Sequence, residues 1–193
     1  MKKIVSLSAF LLSLYNIADA TNLELRGAYF YPQDHHIRNV YGNNGFGEYE
    51  IEGSGPVIND RWALWGNLSY YGKHGRSSCL KERTHLYNTA LNFGLKYYVY
   101  DNDPVKIYFG LGAGMDFLRL HNHSHTIHSV NKWGLATLAK SGIECRLTRL
   151  IFLDFFVDYS YNWIPTKTSR HCISSWNLNT GGVKAGVGLG FHF

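Results

Sequence analysis

Apolar and polar residues alternate one for one along most of this chain, and the last eleven residues show it most clearly. Val183, Ala185, Val187, Leu189, Phe191 and Phe193 share one face of an extended strand, while Lys184, Gly186, Gly188, Gly190 and His192 share the other. In water, a strand apolar on one side and ending on two phenylalanines invites aggregation. In lipid the same face is an anchor.

Seven further stretches repeat the pattern: 23–31, 46–57, 61–71, 86–99, 105–118, 133–147 and 151–163. The second sets Tyr49, Ile51 and Val57 against Glu48, Glu50, Glu52 and Ser54. The fifth sets Ile107, Phe109, Leu111 and Phe117 against Lys106 and Asp116. Eight strands of about eleven residues, each rising about 3.3 Å per residue and tilted near 45°, reach roughly 25 Å, the height of the apolar band of a transmembrane barrel. Short links at Asn59-Asp60, 101–104 and 148–150 carry turn-forming residues. They alternate with long links at 32–45, 72–85, 120–132 and 164–178. The pattern predicts an all-β, eight-stranded antiparallel transmembrane barrel with short periplasmic turns, four long extracellular loops and both termini periplasmic.

Aromatic residues fall where two membrane interfaces would lie. Tyr29, Tyr31, Tyr49, Tyr70, Phe117, Trp133, Tyr161 and Trp163 occupy the loop-side ends of the apolar faces, and Trp62, Tyr97 and Phe193 the turn-side ends. A soluble lipocalin-type barrel, with its apolar residues inside, explains the alternation equally well. It does not explain the loop asymmetry, the two girdles and the terminal phenylalanine together.

The N-terminus changes the picture by adding a compartment. Lys2 and Lys3 precede an apolar run over 4–14, and Ala18-Asp19-Ala20 supplies small residues for cleavage. Residues 1–20 therefore read as a secretory signal peptide and 21–193 as the barrel domain. Charged residues make up 17% of the chain against roughly 25% in soluble domains, which suits a lipid-facing surface. The net charge of +5 could suggest nucleic acid, but the export signal and the absence of a basic run exclude it. Acidic lipopolysaccharide-type surfaces are the milder explanation.

In this pattern the mature chain resembles the small outer-membrane β-barrel superfamily that includes the OmpA membrane domain, OmpX, OmpW and opacity-type surface proteins. The resemblance implies outer-membrane lipids and lipopolysaccharide as surroundings. It also implies an insertion signal at Phe191 and Phe193, read by the barrel-assembly machinery. It lies in pattern, not in a catalytic motif, so it carries no functional residue across. Unlike the OmpA arrangement, a barrel closing at Phe193 is expected to carry no peptidoglycan-gripping domain.

The inward faces carry an unusual number of charges. Glu24, Arg26, Glu50, Lys96, Asp116, Lys140, Glu144, Arg146, Asp154 and Asp158 are expected to form a lumen network, joined by Glu48, Glu52, Lys106 and Lys184. Both signs occur in similar number. One register across 148–150 puts Lys140 opposite Asp158, and another puts Arg146 opposite Asp154. Eight strands leave an interior only wide enough for side chains to fill. Against this, Gly110, Gly112 and Gly114, with Gly186, Gly188 and Gly190, give two bare inward walls, which Trp65, Tyr71 and Tyr98 are bulky enough to occupy.

Other constellations are weaker. His121, His123, His125 and His128 form an H-x-H-x-H-x-x-H run that could gather imidazoles around zinc, copper or nickel. With no cysteine or carboxylate inside it, a solvated loop is the favoured reading, and a weak metal site or acid-sensitive patch the alternative. His128 beside Ser129 faintly resembles the pair used by outer-membrane lipid hydrolases, without local support for a base oriented by a third group. Cys79 and Cys172 both fall in long loops on the oxidising side, where a disulfide across the barrel mouth is expected. Cys145 faces lipid. The sequons at Asn67-Leu-Ser69 and Asn122-His-Ser124 read as chance.

The sequence thus implies a non-enzymatic outer-membrane protein without a cofactor. Its loops would meet a host or surface ligand in a structural or adhesive role, above a lumen filled by side chains. The alternative is a narrow channel of OmpW type for small hydrophobic molecules.

Overall fold

In a computed structural model, residues 22–42, 44–57, 61–76, 83–122, 130–165 and 177–193 are described. Eight long strands close into a ring: β1 (Asn22–Pro32), β2 (Phe46–Pro56), β3 (Trp62–Arg76), β4 (Arg83–Asn102), β5 (Val105–Asn122), β6 (Val130–Arg146), β7 (Ile151–Pro165) and β9 (Gly182–His192). A three-residue strand, β8 (Asn177–Asn179), adds to the end of β7. Every pairing is antiparallel, and β9 lies between β1 and β7, so no long strand keeps a free edge. Among the described residues no helix is long and apolar enough to cross a membrane.

The alternation dictates what each face meets. Leu25, Ile51, Leu68, Leu91, Leu111, Met115, Leu135, Phe155 and Val187 are all exposed on the outer surface, Leu111 at 72%. Such a continuous apolar belt far exceeds what a water-soluble monomer tolerates. The charged faces point inward instead: Glu24, Arg26, Glu50, Lys96 and Asp158 are each at most 3% exposed. This is the reverse of a lipocalin-type interior. The girdle residues Tyr49, Trp133, Tyr161 and Trp163 sit exposed near one end of the barrel, with Trp62 and Phe193 at the other.

Strand ends depart from the expected ones at the long-link end. There β3 runs to Arg76, β4 starts at Arg83, and β5 reaches Asn122 before β6 resumes at Val130. The backbone ladder continues past the apolar belt because hydrogen bonding needs no alternation of side chains once both faces are polar. At the short-link end, Thr148 Oγ1 accepts hydrogen bonds from the N–H groups of Leu150 and Ile151, which is the turn chemistry threonine supplies. The turn residues 58–60 lie outside the described residues, but Val57 N–H donates to the Trp62 carbonyl at 2.9 Å and closes that hairpin.

The first long link holds an element the alternation does not announce. Helix α1 (His35–Tyr41) sets Ile37 and Tyr41 four residues apart on one face, and both are buried. Gly42, at φ 96°, takes the left-handed conformation that ends the helix. Ile37 and Tyr41 join Phe30, Phe46, Tyr71, Leu86, Leu118 and Ile164 in an apolar cluster over the barrel mouth. Phe30 stacks on Tyr71 with ring centroids 4.9 Å apart, and Tyr41 exchanges a hydrogen bond with Thr84. Burial pushes the Tyr41 hydroxyl above its ordinary pKa.

If the belt around Leu111 faces hydrocarbon, Leu111→Arg lowers the unfolding free energy in lipid vesicles by about 2–4 kcal/mol. Urea titration followed by tryptophan fluorescence measures it, and an unchanged midpoint would contradict a lipid-facing Leu111.

Candidate functional site: the charged lumen

The lumen network is built around one side chain. Arg26 projects from β1 between Gly188 and Glu50, its cross-strand partners on β9 and β2. Gly188 is also opposite Asp154 on β7, so a single missing side chain lets a guanidinium and two neighbouring strands converge. A Cβ at position 188 would strike Glu24 and Arg26. Arg26 Nη1 lies 3.1 Å from Glu50, 3.4 Å from Glu52 and 3.1 Å from Asp158; Nη2 lies 3.3 Å from Asp154, and Nε 3.2 Å from Glu24. The guanidinium plane covers the Phe156 ring at 3.4 Å from its centroid.

Three lysines extend this cluster. Lys96 reaches Glu52 at 3.1 Å and Glu144 at 3.3 Å. Lys140 pairs with Glu52 and lies 3.9 Å from Asp158. Lys184 pairs with Glu50 and, at 3.2 Å, with Glu48. Neutral donors fill the gaps: Tyr108 donates to Asp154 at 2.8 Å, Tyr98 to Glu144 at 3.1 Å, and Asn67 to Glu50 at 3.1 Å, while Asn92 donates to Asn67 at 3.2 Å. Because these groups are shielded from water, each charge left without a partner would cost several kcal/mol, on the order reported for broken buried pairs.

Two expectations need correction. Arg146 lies outside the network: it is half-buried at the short-turn end and pairs with Asp103 at 2.6 Å. Lys106 likewise pairs with Asp101 at 2.9 Å. Both have inward parity, but at this rim water and turn carboxylates compete for them. The charges are therefore not balanced: among the described residues, Glu24, Glu48, Glu50, Glu52, Asp116, Glu144, Asp154 and Asp158 are buried with Arg26, Lys96, Lys140 and Lys184. Protons or small cations must offset that excess. Of the two registers expected across 148–150, β6 and β7 adopt the one that sets Lys140 opposite Asp158, with Ala139 opposing Tyr159 and Gly142 opposing Phe156 on either side. Asp154 consequently faces Glu144, a like charge, rather than Arg146.

Asp116 also stands apart. It is fully buried and makes no ion pair with a described residue; it accepts hydrogen bonds from Thr180 and, at 2.9 Å, from Asn162. The glycine walls are occupied. Trp65 lies against Gly94, Gly110 and Gly112, Phe152 against Gly190, and Tyr108 against Gly142. Tyr98 packs with Ala63 and Tyr108 near the turn end, and Tyr71 donates to the Thr180 carbonyl near the mouth.

The loop candidates are less complete. Cys79, Cys172, His123, His125, His128 and Ser129 lie outside the described residues. His121 lies within them, and the register adds two histidines the sequence reading passed over. His74 opposes His85 and His85 opposes His121, in one row across β3, β4 and β5. The Nδ1 atoms of His74 and His85 face each other. Among the described residues, no group of three histidines, cysteines or carboxylates is arranged to hold a metal. Cys145 is a free thiol, half-buried. Phe191 opposes Leu23 and Ile151 in the closing seam, and Phe193 is 81% exposed.

Known structures share this architecture. Neisserial surface protein A aligns over 89% of this chain and 96% of its own with a TM-score of 0.61 at 13% identity. The outer membrane protein OprG of Pseudomonas aeruginosa aligns over 91% and 97% with a TM-score of 0.58 at 13% identity. Ail, the attachment invasion locus protein of Yersinia pestis, in complex with the heparin analogue sucrose octasulfate, aligns over 89% and 97% with a TM-score of 0.52 at 15% identity. No protein-family model matches the chain, and no curated protein does. The chain has the fold of the small outer-membrane β-barrels. It is an eight-stranded antiparallel β-barrel.

Arg26→Met leaves five carboxylates without their shared cation and is expected to cost about 3–5 kcal/mol of stability. Arg146→Met, at the wet rim, should change stability by less than about 1 kcal/mol. Urea unfolding of both variants in vesicles measures the difference; equal losses would place Arg26 outside a shielded network.

Proposed function

We propose that this protein is a non-enzymatic surface-display barrel, closed to solutes, whose long connections meet anionic partners outside the cell, with both termini in the periplasm. The observation that carries the closed reading is the Arg26 cluster, which spans the lumen from β1 to β2 and β7. The apolar cluster under helix α1 lies above it, and Tyr98 and Tyr108 below. A solute would have to break ion pairs in a low-dielectric interior to pass.

The anionic preference rests on how charge is distributed. The four long connections and adjoining strand ends, 32–46, 72–88, 118–132 and 164–182, carry Arg38, Lys73, Arg76, Lys81, Arg83, Arg119, Lys132, Lys167 and Arg170 against only Asp34 and Glu82. All histidines except His192 fall in the same segments. Such a basic crown attracts sulfated or phosphorylated surfaces at long range. The Ail structure with sucrose octasulfate supplies a precedent, within the same fold, for a polyanion on such a barrel.

Two measurements test this reading. Purified protein in planar bilayers should give no stable ion conductance; steady conductance lost on heat denaturation would replace the closed barrel with the narrow OmpW-type channel. Intact cells displaying the protein should bind immobilised heparin, with retention that falls steeply between low and physiological salt. Salt-independent retention, or none, would remove the anionic partner.

A further inference from the structure

On the outer surface at the long-connection end, β3 to β6 stack three rows of cross-strand partners. The lowest row is Tyr70, Thr89, Phe117 and Trp133. Directly above it come Gly72, Tyr87, Arg119 and Asn131, and above those His74, His85 and His121. All three rows share the outward parity of the apolar belt. Thr89 is short between Tyr70 and Phe117, and the Tyr87 ring leans over Gly72 toward the Tyr70 hydroxyl, so the aromatic rings rise around a hollow above Thr89. That hollow is an open groove of about 630 Å³ bordered by Tyr70, Tyr87, Phe117, Arg119, Lys132 and Trp133.

The chemistry of the groove is split by height. Its lower part is the aromatic girdle, which sits at the boundary between acyl chains and headgroups. Arg119 stands one row higher, exposed, with no ion pair to any described residue. An arginine on the lipid-facing side at headgroup height, next to aromatic walls and within a cationic crown, lacks only an anion. Its planar donors suit a phosphate gripped by two parallel hydrogen bonds.

We propose that this groove binds a phosphorylated glycolipid of the surrounding leaflet, its phosphate on Arg119 and its sugar and upper acyl segment against Tyr70, Phe117 and Trp133. Glycerophospholipids would meet the charge but leave the broad aromatic walls uncovered, whereas a sugar ring stacks on them. The assignment rests on the long connections facing the outer leaflet, and a test in detergent separates the two ideas because it needs no orientation.

Full-length protein purified in detergent is offered bisphosphorylated lipid A, the same lipid A after dephosphorylation, or phosphatidylglycerol, and retained lipid is read by native mass spectrometry. Bisphosphorylated lipid A should be retained about ten-fold more than its dephosphorylated form, the scale of one bidentate charged contact. Arg119→Ala should remove most of that preference, while Arg149→Ala, at the opposite rim, should keep it; heat-modifiable migration checks that both variants fold. Equal retention of the two lipid A forms, or equal retention of phosphatidylglycerol, would overturn the site, and the wild-type comparison decides even if Arg119→Ala fails to fold. Protease cleavage of the long connections on intact cells tests their orientation independently.

Discussion

The interior of this barrel depends on one guanidinium. Arg26 touches carboxylates contributed by β1, β2 and β7, and the three lysines attach the rest of the ring to the same group of acids. Glu52 alone is shared by Arg26, Lys96 and Lys140. The network therefore fixes the relative register of strands far apart in sequence, including the seam where β9 joins β1. A slip of one residue would turn every one of these charges toward lipid. Buried ion pairs add little net stability over apolar packing, but they penalise wrong registers heavily. In a closed sheet whose outer face is uniformly apolar, the inner face is what distinguishes one register from another.

Glycine makes this arrangement sterically possible. The two inward glycine runs read, from sequence alone, as bare walls that argue against a filled lumen. In the fold they are the walls against which Trp65, Phe152 and the Arg26–Glu24 pair are pressed. The overall charge of the chain hides a second division of labour. A lumen rich in carboxylates is enclosed by an exterior that is correspondingly more basic than the net +5 suggests, and the basic residues concentrate at the long-connection end.

The strands, their inward and outward faces and the aromatic girdles were legible in the sequence because a period of two states them directly. Helix α1 was not, since seven residues that bury Ile37 and Tyr41 give no measurable period. Parity also placed Lys106 and Arg146 inside, but parity carries no information about depth, and at the rim Asp101 and Asp103 hold them. The roles of Asn67, Asn92, Tyr108 and Phe156 needed the register and barrel closure. The row of His74, His85 and His121 likewise exists only once three strands are aligned, because 36 positions separate His85 from its partner His121 in the chain.

The claim that the lumen is closed around Arg26 is tested most directly by hydrogen exchange of its own side chain. In detergent micelles, NMR of protein labelled at arginine should show the Arg26 guanidinium N–H signals protected from water, in contrast to the solvent-exposed Arg149. Rapid exchange at Arg26, as fast as at Arg149, would mean that water runs freely through the barrel and would contradict the account.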